Sequence, residues 1–150
     1  MTISVGDRLP DVPLAIATPD GPQPTTSGEF FRGKKVALFA VPGAFTPTCS
    51  VRHLPSFVDK AGDLKAKGID EIVGISVNDP FVMAAWNKSD GSEDITMLAD
   101  GNGDFAEAWG GISSLQLGLP AIYMVDDHPL PWLAPLLNGV EHANFFETRA

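Results

Sequence analysis

The sequence predicts an α/β fold in which buried strands alternate with helices along one domain, residues 1–150. Two segments, KVALFAV (Lys35–Val41) and EIVGISV (Glu71–Val77), are nearly continuous apolar runs rich in Val. Such runs are typical of parallel strands that are covered on both faces. A helical pattern lies between them. Strand, helix and strand in this order form the repeating unit of layered α/β folds.

The first helix is predicted from apolar residues that recur at steps of three or four. They are Val51, Leu54, Phe57, Ala61 and Leu64. Gly68 ends the pattern, as is common after the last turn of a helix. Pro55 lies inside it and is expected to bend the helix, because proline lacks the backbone N–H that the helix needs.

Three further elements follow along the chain. NDPFVMAAWNK (Asn78–Lys88) predicts a second helix, with Asp79 as its capping residue and Pro80 at its first position. DFAEAW (Asp104–Trp109) predicts a short third helix. AIYMVDD (Ala121–Asp127) predicts a third buried strand.

Charge and composition exclude several classes of function. The net charge is −9, and after Lys88 the chain carries ten acidic residues and a single cation, Arg149. Nucleic-acid binding needs Lys or Arg against phosphates, so we expect no nucleic-acid partner. No apolar run is long enough to span a membrane, so we expect no membrane association. The N-terminus shows no secretory signal, and with one cysteine the expected location is the cytoplasm.

The single cysteine, Cys49, follows the first strand in the segment VPGAFTPTCSVRHLPSF. Thr46 is a natural N-cap and Pro47 suits the first helical position, which puts Cys49 in the first turn. Free backbone N–H groups and the helix dipole would stabilise a thiolate there, so a lowered pKa of Cys49 is expected. Pro42 and Phe45 are candidates for shielding it from water. An inert buried cysteine is the alternative.

This segment resembles the active-site segment of the peroxiredoxins, in particular the peroxiredoxin-5-like branch. Pro42, Thr46 and Cys49 match the family's pattern of proline, three residues, threonine, two residues and cysteine. VGDRLPDVPL, KGIDEIVGISVNDPFVMAAW and MLADGNGDFAEAWG resemble the branch as well. The resemblance implies a thioredoxin-like fold with a central mixed sheet flanked by helices. It also implies reduction of hydrogen peroxide and organic hydroperoxides at Cys49.

By the same resemblance, Thr46 holds the peroxide oxygens and Pro42 shields the thiolate. No second cysteine is present to resolve the sulfenic acid, so an external thiol such as thioredoxin, glutaredoxin or glutathione is the expected reductant. We expect no cofactor and no metal. A homodimer is expected through Phe45 and the Asp79–Phe81 turn.

The match breaks at an arginine that the family carries just before its later strand. The aligned position here is Pro120 or Ala121, and no arginine occurs between Arg52 and Arg149. A charge-assisted hydrogen bond contributes about 1.5–3 kcal/mol, and one aimed at a transition state can be worth about 100-fold or more in rate. Arg52 is the nearby candidate replacement, although an exposed helix charge is the simpler interpretation. The last 40 residues or so also diverge from the family.

Two alternatives stay open. The missing arginine favours a catalytically weakened or inactive module that senses redox state or binds partners. A thiol–disulfide enzyme is less favoured, because Thr46 stands where the second cysteine of a Cys-x-x-Cys pair would be. We interpret His53 as structural. The three tryptophans are interpreted as core or dimer contacts, namely Trp86, Trp109 and Trp132.

Overall fold

The structure is a computed structural model that describes residues 8–47 and 49–108 and two strands, 121–125 and 144–148. For those two strands, and for Arg52 and His53, it describes the backbone. The strands are β1 Pro13–Thr18, β2 Gly21–Thr26, β3 Val36–Ala40, β4 Glu71–Ser76, β5 Thr96–Ala99, β6 Ala121–Val125 and β7 Asn144–Thr148. The helices are α1 Ser27–Phe31, α2 Leu54–Ala66, α3 Pro80–Ser89 and α4 Asp104–Ala108. A π-helical turn, Cys49–His53, directly precedes α2.

Within this part of the chain the strands form one mixed sheet in the order β2-β1-β5-β4-β3-β6-β7. Strands β3, β4 and β5 run parallel, as the two apolar runs predicted for β3 and β4. β6 pairs antiparallel with β3, and β7 pairs parallel with β6. β1 closes the other side by antiparallel pairing with β5 and β2. The predicted α/β fold with a mixed central sheet and flanking helices is confirmed.

A hydrophobic layer covers each face of the sheet. Residues of β3 alternate between the layers: Phe39 faces the side of α2 and α3, while Leu38 faces the side of α1 and α4. Because both faces are covered, every residue of β3 is buried. This burial accounts for the continuous apolar run in the sequence.

The helix after β3 differs from its prediction at its first turn. Val51 was expected on the buried face, but its side chain is 73% exposed. The π-helical turn is wider than an α-helical turn, so the 3.6-residue spacing holds only from Leu54 onward. Where Pro55 predicted a bend, α2 begins at Leu54. The π-helical turn Cys49–His53 runs directly into α2, so Pro55 lies about one turn inside the helical segment and supplies no N–H to the carbonyls of that turn.

The predicted cap of the next helix is confirmed. The carboxylate of Asp79 accepts hydrogen bonds from the backbone N–H groups of Phe81 and Val82, both at 2.9 Å, and Pro80 opens α3. Helix α4 begins at Asp104, as predicted, and the structure describes it as far as Ala108.

Several elements were not predicted. The β1–β2 hairpin was missed because β2 contains Pro22 and Pro24, which read as turn residues and are tolerated at the edge of a sheet. β5 is only four residues long, and β7 lies in the stretch that resembled the family least. Trp109, Trp132 and most of the divergent tail lie outside the described residues. Among the described helices, none is long and apolar enough to cross a membrane.

Candidate active site around Cys49

Cys49 lies near the carboxyl ends of two neighbouring parallel strands, β3 and β4. After β3 ends at Ala40, the backbone N–H of Val41 still donates to the carbonyl of Ile75 at 3.0 Å. The chain then leaves the sheet through a loop and enters the π-helical turn at Cys49. Open α/β sheets hold their ligands at this edge, where the strands end.

The side chain of Cys49 is 2% exposed and belongs to the hydrophobic layer beneath α2 and α3. Its thiol is free rather than paired in a disulfide. The turn that carries it begins with a hydrogen bond from the backbone N–H of Ser50 to the carbonyl of Thr46, at 3.0 Å. Cys49 therefore lies at the start of a helical segment, as predicted, but deeper than the sequence indicated.

Thr46 contacts both the loop and the cysteine. Its hydroxyl donates to the carbonyl of Gly43 at 2.9 Å, and its side chain also forms a hydrogen bond with the Cys49 sulfur. A hydroxyl has one proton to donate and can accept as well. In the thiol state it can donate to Gly43 and accept from the S–H group. In the thiolate state the sulfur carries no proton, so the Thr46 hydroxyl donates to the sulfur instead of to Gly43.

The predicted lowering of the Cys49 pKa is wrong. Burial raises the pKa of the thiol above its ordinary value of 9.0, and the opposing hydrogen bond from Thr46 lowers it by less. The prediction considered the helix start alone. It could not include desolvation, which disfavours the charged thiolate and depends on how deeply the side chain is covered.

The loop between β3 and Cys49 is held by a side chain from the end of β4. The Oδ1 atom of Asn78 accepts from the backbone N–H of Ala44 at 2.7 Å and from the hydroxyl of Ser76 at 2.8 Å. Sequence reasoning placed Asn78 only at the start of a helix. A polar residue directly after a buried strand was the available signal, because the ends of β3 and β4 meet at one edge.

A second side chain holds the turn that follows the cysteine. The indole N–H of Trp86, on α3, donates to the hydroxyl of Ser50 at 2.8 Å. Trp86 is completely buried, which confirms its interpretation as a core residue. The segments on either side of Cys49 are therefore each tied to the β4–α3 region.

Comparison with known proteins points to one family. The sequence model of the Redoxin family matches residues 4–129. Peroxiredoxin-2E-2, chloroplastic, from Oryza sativa is 54% identical over 113 residues, which cover 73% of this chain and 50% of the relative. Peroxiredoxin-2E, chloroplastic, from Arabidopsis thaliana is 54% identical over 107 residues, which cover 69% of this chain and 46% of the relative. The chain belongs to the peroxiredoxin family. It spans about half the length of these two relatives.

Among solved structures, reduced Prx3 of Vibrio vulnificus in complex with H₂O₂ superimposes on this peroxiredoxin with a TM-score of 0.70. The two are 50% identical, and the match covers 73% of this chain and 69% of that chain. The thioredoxin-like fold is thus confirmed. The assignment to the peroxiredoxin-5-like branch stays a prediction.

The expectation of a cytoplasmic protein is contradicted. Both plant relatives described above are chloroplastic by name, at 54% identity. The expectation rested on a single cysteine and on the absence of a secretory signal. These features separate secreted from intracellular proteins but do not distinguish the cytoplasm from a plastid.

In this peroxiredoxin one of the two positions predicted for the family arginine, Ala121, lies at the end of the sheet from which the Cys49 loop leaves. Ala121, the first residue of β6, pairs with Ala40, the last residue of β3. Pro120 and the side chain of Arg52 lie outside the described residues. β6 therefore begins beside the end of β3, where the family arginine was expected, but the sequence has no arginine at this position.

The two candidates for shielding Cys49 from water lie on the loop that precedes it. Pro42 is partly buried on the loop, whereas Phe45 is 52% exposed. The shielding role of either side chain stays a prediction. In the described part of the chain, no group of three or more His, Cys, Asp or Glu side chains is placed to hold a metal ion.

Proposed function

We propose that this peroxiredoxin is a thiol-dependent peroxidase that reduces hydrogen peroxide and organic hydroperoxides at Cys49. The observation that carries the proposal is the free Cys49 thiol at the carboxyl end of β3, three residues after Thr46, whose carbonyl accepts from the backbone N–H of Ser50 at 3.0 Å. Family membership supports the reaction class. The Vibrio vulnificus relative, solved in complex with H₂O₂, supports the substrate class.

In the first step the Cys49 thiolate attacks the terminal oxygen of the hydroperoxide. An S–O bond forms as the O–O bond breaks, and the departing alkoxide or hydroxide takes a proton to leave as alcohol or water. The sulfur is oxidised to a sulfenic acid, and the peroxide is reduced by two electrons.

Two neighbouring residues assist this step in the proposal. The Thr46 hydroxyl donates its one proton to the thiolate before the attack and then to the departing peroxide oxygen, on which negative charge develops as the O–O bond breaks. Pro42, partly buried on the loop, limits access of water to the sulfur. Burial raises the pKa of the Cys49 thiol, so these contacts stabilise a thiolate that desolvation disfavours.

The sulfenic acid is returned to the thiol by an external reductant. The sequence contains one cysteine, so a first external thiol forms a mixed disulfide with Cys49 and releases water. A second thiol then attacks the mixed disulfide, which frees Cys49 and leaves an oxidised reductant. Thioredoxin, glutaredoxin and glutathione are the candidate donors.

Stopped-flow oxidation of Cys49 tests the function directly. The second-order rate constant with H₂O₂ should greatly exceed that of free cysteine, and Cys49→Ser should abolish peroxide consumption with any of the three donors. Cys49→Ser should keep its far-ultraviolet circular dichroism, which controls for folding. Turnover that persists in this variant would rule out the assignment.

A second candidate is a redox-sensing or interaction protein whose Cys49 oxidises slowly. The raised pKa of Cys49 and the missing family arginine both favour this alternative. The same measurement separates the two candidates, because a sensor of this kind would react with H₂O₂ about as slowly as free cysteine.

We also propose that the chain forms a homodimer around the site. Large apolar side chains are exposed on the segments that carry Cys49 and Asn78, including Phe45 and Phe81, which is 68% exposed. Val51 and Val77 are exposed on the same two segments. Exposed apolar patches of this kind are typical of protein interfaces.

Phe81→Glu tests this interface by analytical ultracentrifugation at micromolar concentration. The wild type should sediment as a dimer and Phe81→Glu as a monomer. Ala85→Glu, on an exposed position of the same helix, is the control and should stay dimeric. A monomeric wild type would contradict the proposal.

The two chloroplastic relatives support a plastid location for this activity. Fractionation of plant cells that express the full-length protein would test it, and recovery outside the plastid fraction would argue against it.

A further inference from the structure

One peptide unit in the loop before Cys49 is held at both of its polar ends. Its N–H, from Ala44, donates to Asn78 Oδ1 at 2.7 Å. Its C=O, from Gly43, accepts from the Thr46 hydroxyl at 2.9 Å. The orientation of this peptide therefore links the Asn78 side chain to the direction in which the Thr46 hydroxyl points.

We propose that Asn78 is a positioning residue that holds the Thr46 side chain in place beside Cys49 through the Gly43–Ala44 peptide. The inference rests on the proposed function, in which Thr46 serves the thiolate and the peroxide. Asn78 touches neither reacting atom in this account. It acts on the loop from the end of β4.

Asn78 is itself well fixed for this role. The hydroxyl of Ser76, which is buried, donates to the same Oδ1 atom at 2.8 Å. An amide oxygen has two lone pairs, so these two donors use its accepting capacity. Asn78 also directly precedes Asp79, which caps α3, and its backbone is therefore anchored between a strand and a helix.

The loop needs the restraint that these hydrogen bonds provide, because the residue after Ala44 has a strained backbone. Phe45 has a φ of 60°, in the left-handed region that residues with a side chain rarely adopt. Strain of this kind persists where surrounding contacts over-determine the conformation. The hydrogen bonds from Ala44 to Asn78 and from Thr46 to Gly43 lie on either side of Phe45 and hold its backbone in this conformation.

The position of Gly43 supports the same coupling. A Cβ atom at Gly43 would lie 3.4 Å from the Thr46 methyl group and 3.7 Å from Asn78 Oδ1. The two side chains thus approach the same residue.

The test compares Asn78→Leu, which removes the acceptor at similar volume, with Asn87→Leu. Asn87 is a matched control on α3: it is also partly buried, donates to the Ile95 carbonyl at 3.1 Å and accepts from Ser92 at 2.6 Å. The rate constants for reaction of Cys49 with H₂O₂ and with iodoacetamide are measured across a range of pH. For each variant, the two limiting values for fully ionised Cys49 are then compared. Iodoacetamide is neutral and has no peroxide oxygens for Thr46 to hold.

Asn78→Leu should lower the H₂O₂ constant about tenfold more than the iodoacetamide constant, because misplaced catalytic groups reduce rates by such factors. Asn87→Leu should leave the ratio of the two constants unchanged. Asn78→Asp keeps the acceptor for Ala44 and should stay within about threefold of the wild-type ratio. Equal losses with both reagents in Asn78→Leu, or the same selective loss in Asn87→Leu, would overturn the proposal.

Nuclear magnetic resonance supplies a readout that does not depend on peroxidase activity. In Asn78→Leu the Ala44 amide should exchange with solvent at least about tenfold faster, and the couplings that report χ1 of Thr46 should show averaging. If Asn78→Leu does not fold, Asn78→Ala takes the same tests. Fixed Thr46 couplings in the variant would refute the positioning role.

These measurements also separate this inference from the proposed function. Wild-type Cys49 that reacts with H₂O₂ no faster than free cysteine would contradict the peroxidase proposal. The Ala44 exchange and the Thr46 couplings would still decide whether Asn78 holds the Thr46 side chain in place.

Discussion

Removing the Thr46 hydroxyl should slow Cys49 in two separable ways. Thr46→Val keeps the shape of the side chain and deletes both the bond to the Gly43 carbonyl and the bond to the sulfur. Because the second bond lowers the pKa of Cys49, its loss should move the pKa further above 9.0. The midpoint of the pH profile for reaction with iodoacetamide should therefore shift to higher pH.

The size of the effect follows from the exchange of hydrogen bonds at Thr46. When the thiolate forms, the hydroxyl gives up a neutral bond to Gly43, of about 0.5–1.5 kcal/mol, for a bond to a charged sulfur of about 1.5–3 kcal/mol. The net gain is about 1–1.5 kcal/mol, which corresponds to about fivefold to tenfold in the iodoacetamide rate at pH 7. The H₂O₂ rate should fall by at least about a further tenfold, because the hydroxyl also holds a peroxide oxygen.

Thr46→Ser is the matched control, since it keeps the hydroxyl and loses only a methyl group. Its pH midpoint and its H₂O₂ rate should stay close to those of the wild type. Thermal denaturation of Thr46→Val should show a loss of only about 0.5–1.5 kcal/mol, from the bond to Gly43. An unchanged midpoint in Thr46→Val would refute the reasoning, because the hydroxyl would then not reach the sulfur.

Three further predictions concern the surroundings of the site. Trp86→Phe removes the indole N–H that donates to Ser50 within the core, so the free energy of unfolding should fall by about 1–3 kcal/mol in thermal denaturation. An unchanged melting temperature would mean that this hydrogen bond contributes nothing to stability. Ala121→Arg should raise the H₂O₂ rate of Cys49 much more than its iodoacetamide rate, and equal gains would mean that the arginine acts only through the pKa of the thiol. Because burial raises the pKa of Cys49 above 9.0, stability should be full below that value and fall as the pH rises through the raised pKa. Urea denaturation at pH 7 and pH 10 should show this loss in the wild type and not in Cys49→Ser.

The sequence by itself determined the elements whose signals are local. The apolar runs predicted β3 and β4, and Asp79 with Pro80 predicted the start of α3. The spacing of Pro42, Thr46 and Cys49 led to the correct family. Strand burial, helix capping and short motifs depend on residues close together in the chain, so they can be read without knowing the fold.

The tertiary structure decided the properties that depend on residues distant in sequence. Asn78 reaches Ala44 across 34 positions, and Trp86 reaches Ser50 across 36. The direction of the Cys49 pKa changed for the same reason: desolvation is set by the layer of side chains that α2 and α3 bring over the thiol. The helix start favours a thiolate by short-range electrostatics, but packing removes the water that the charge would need.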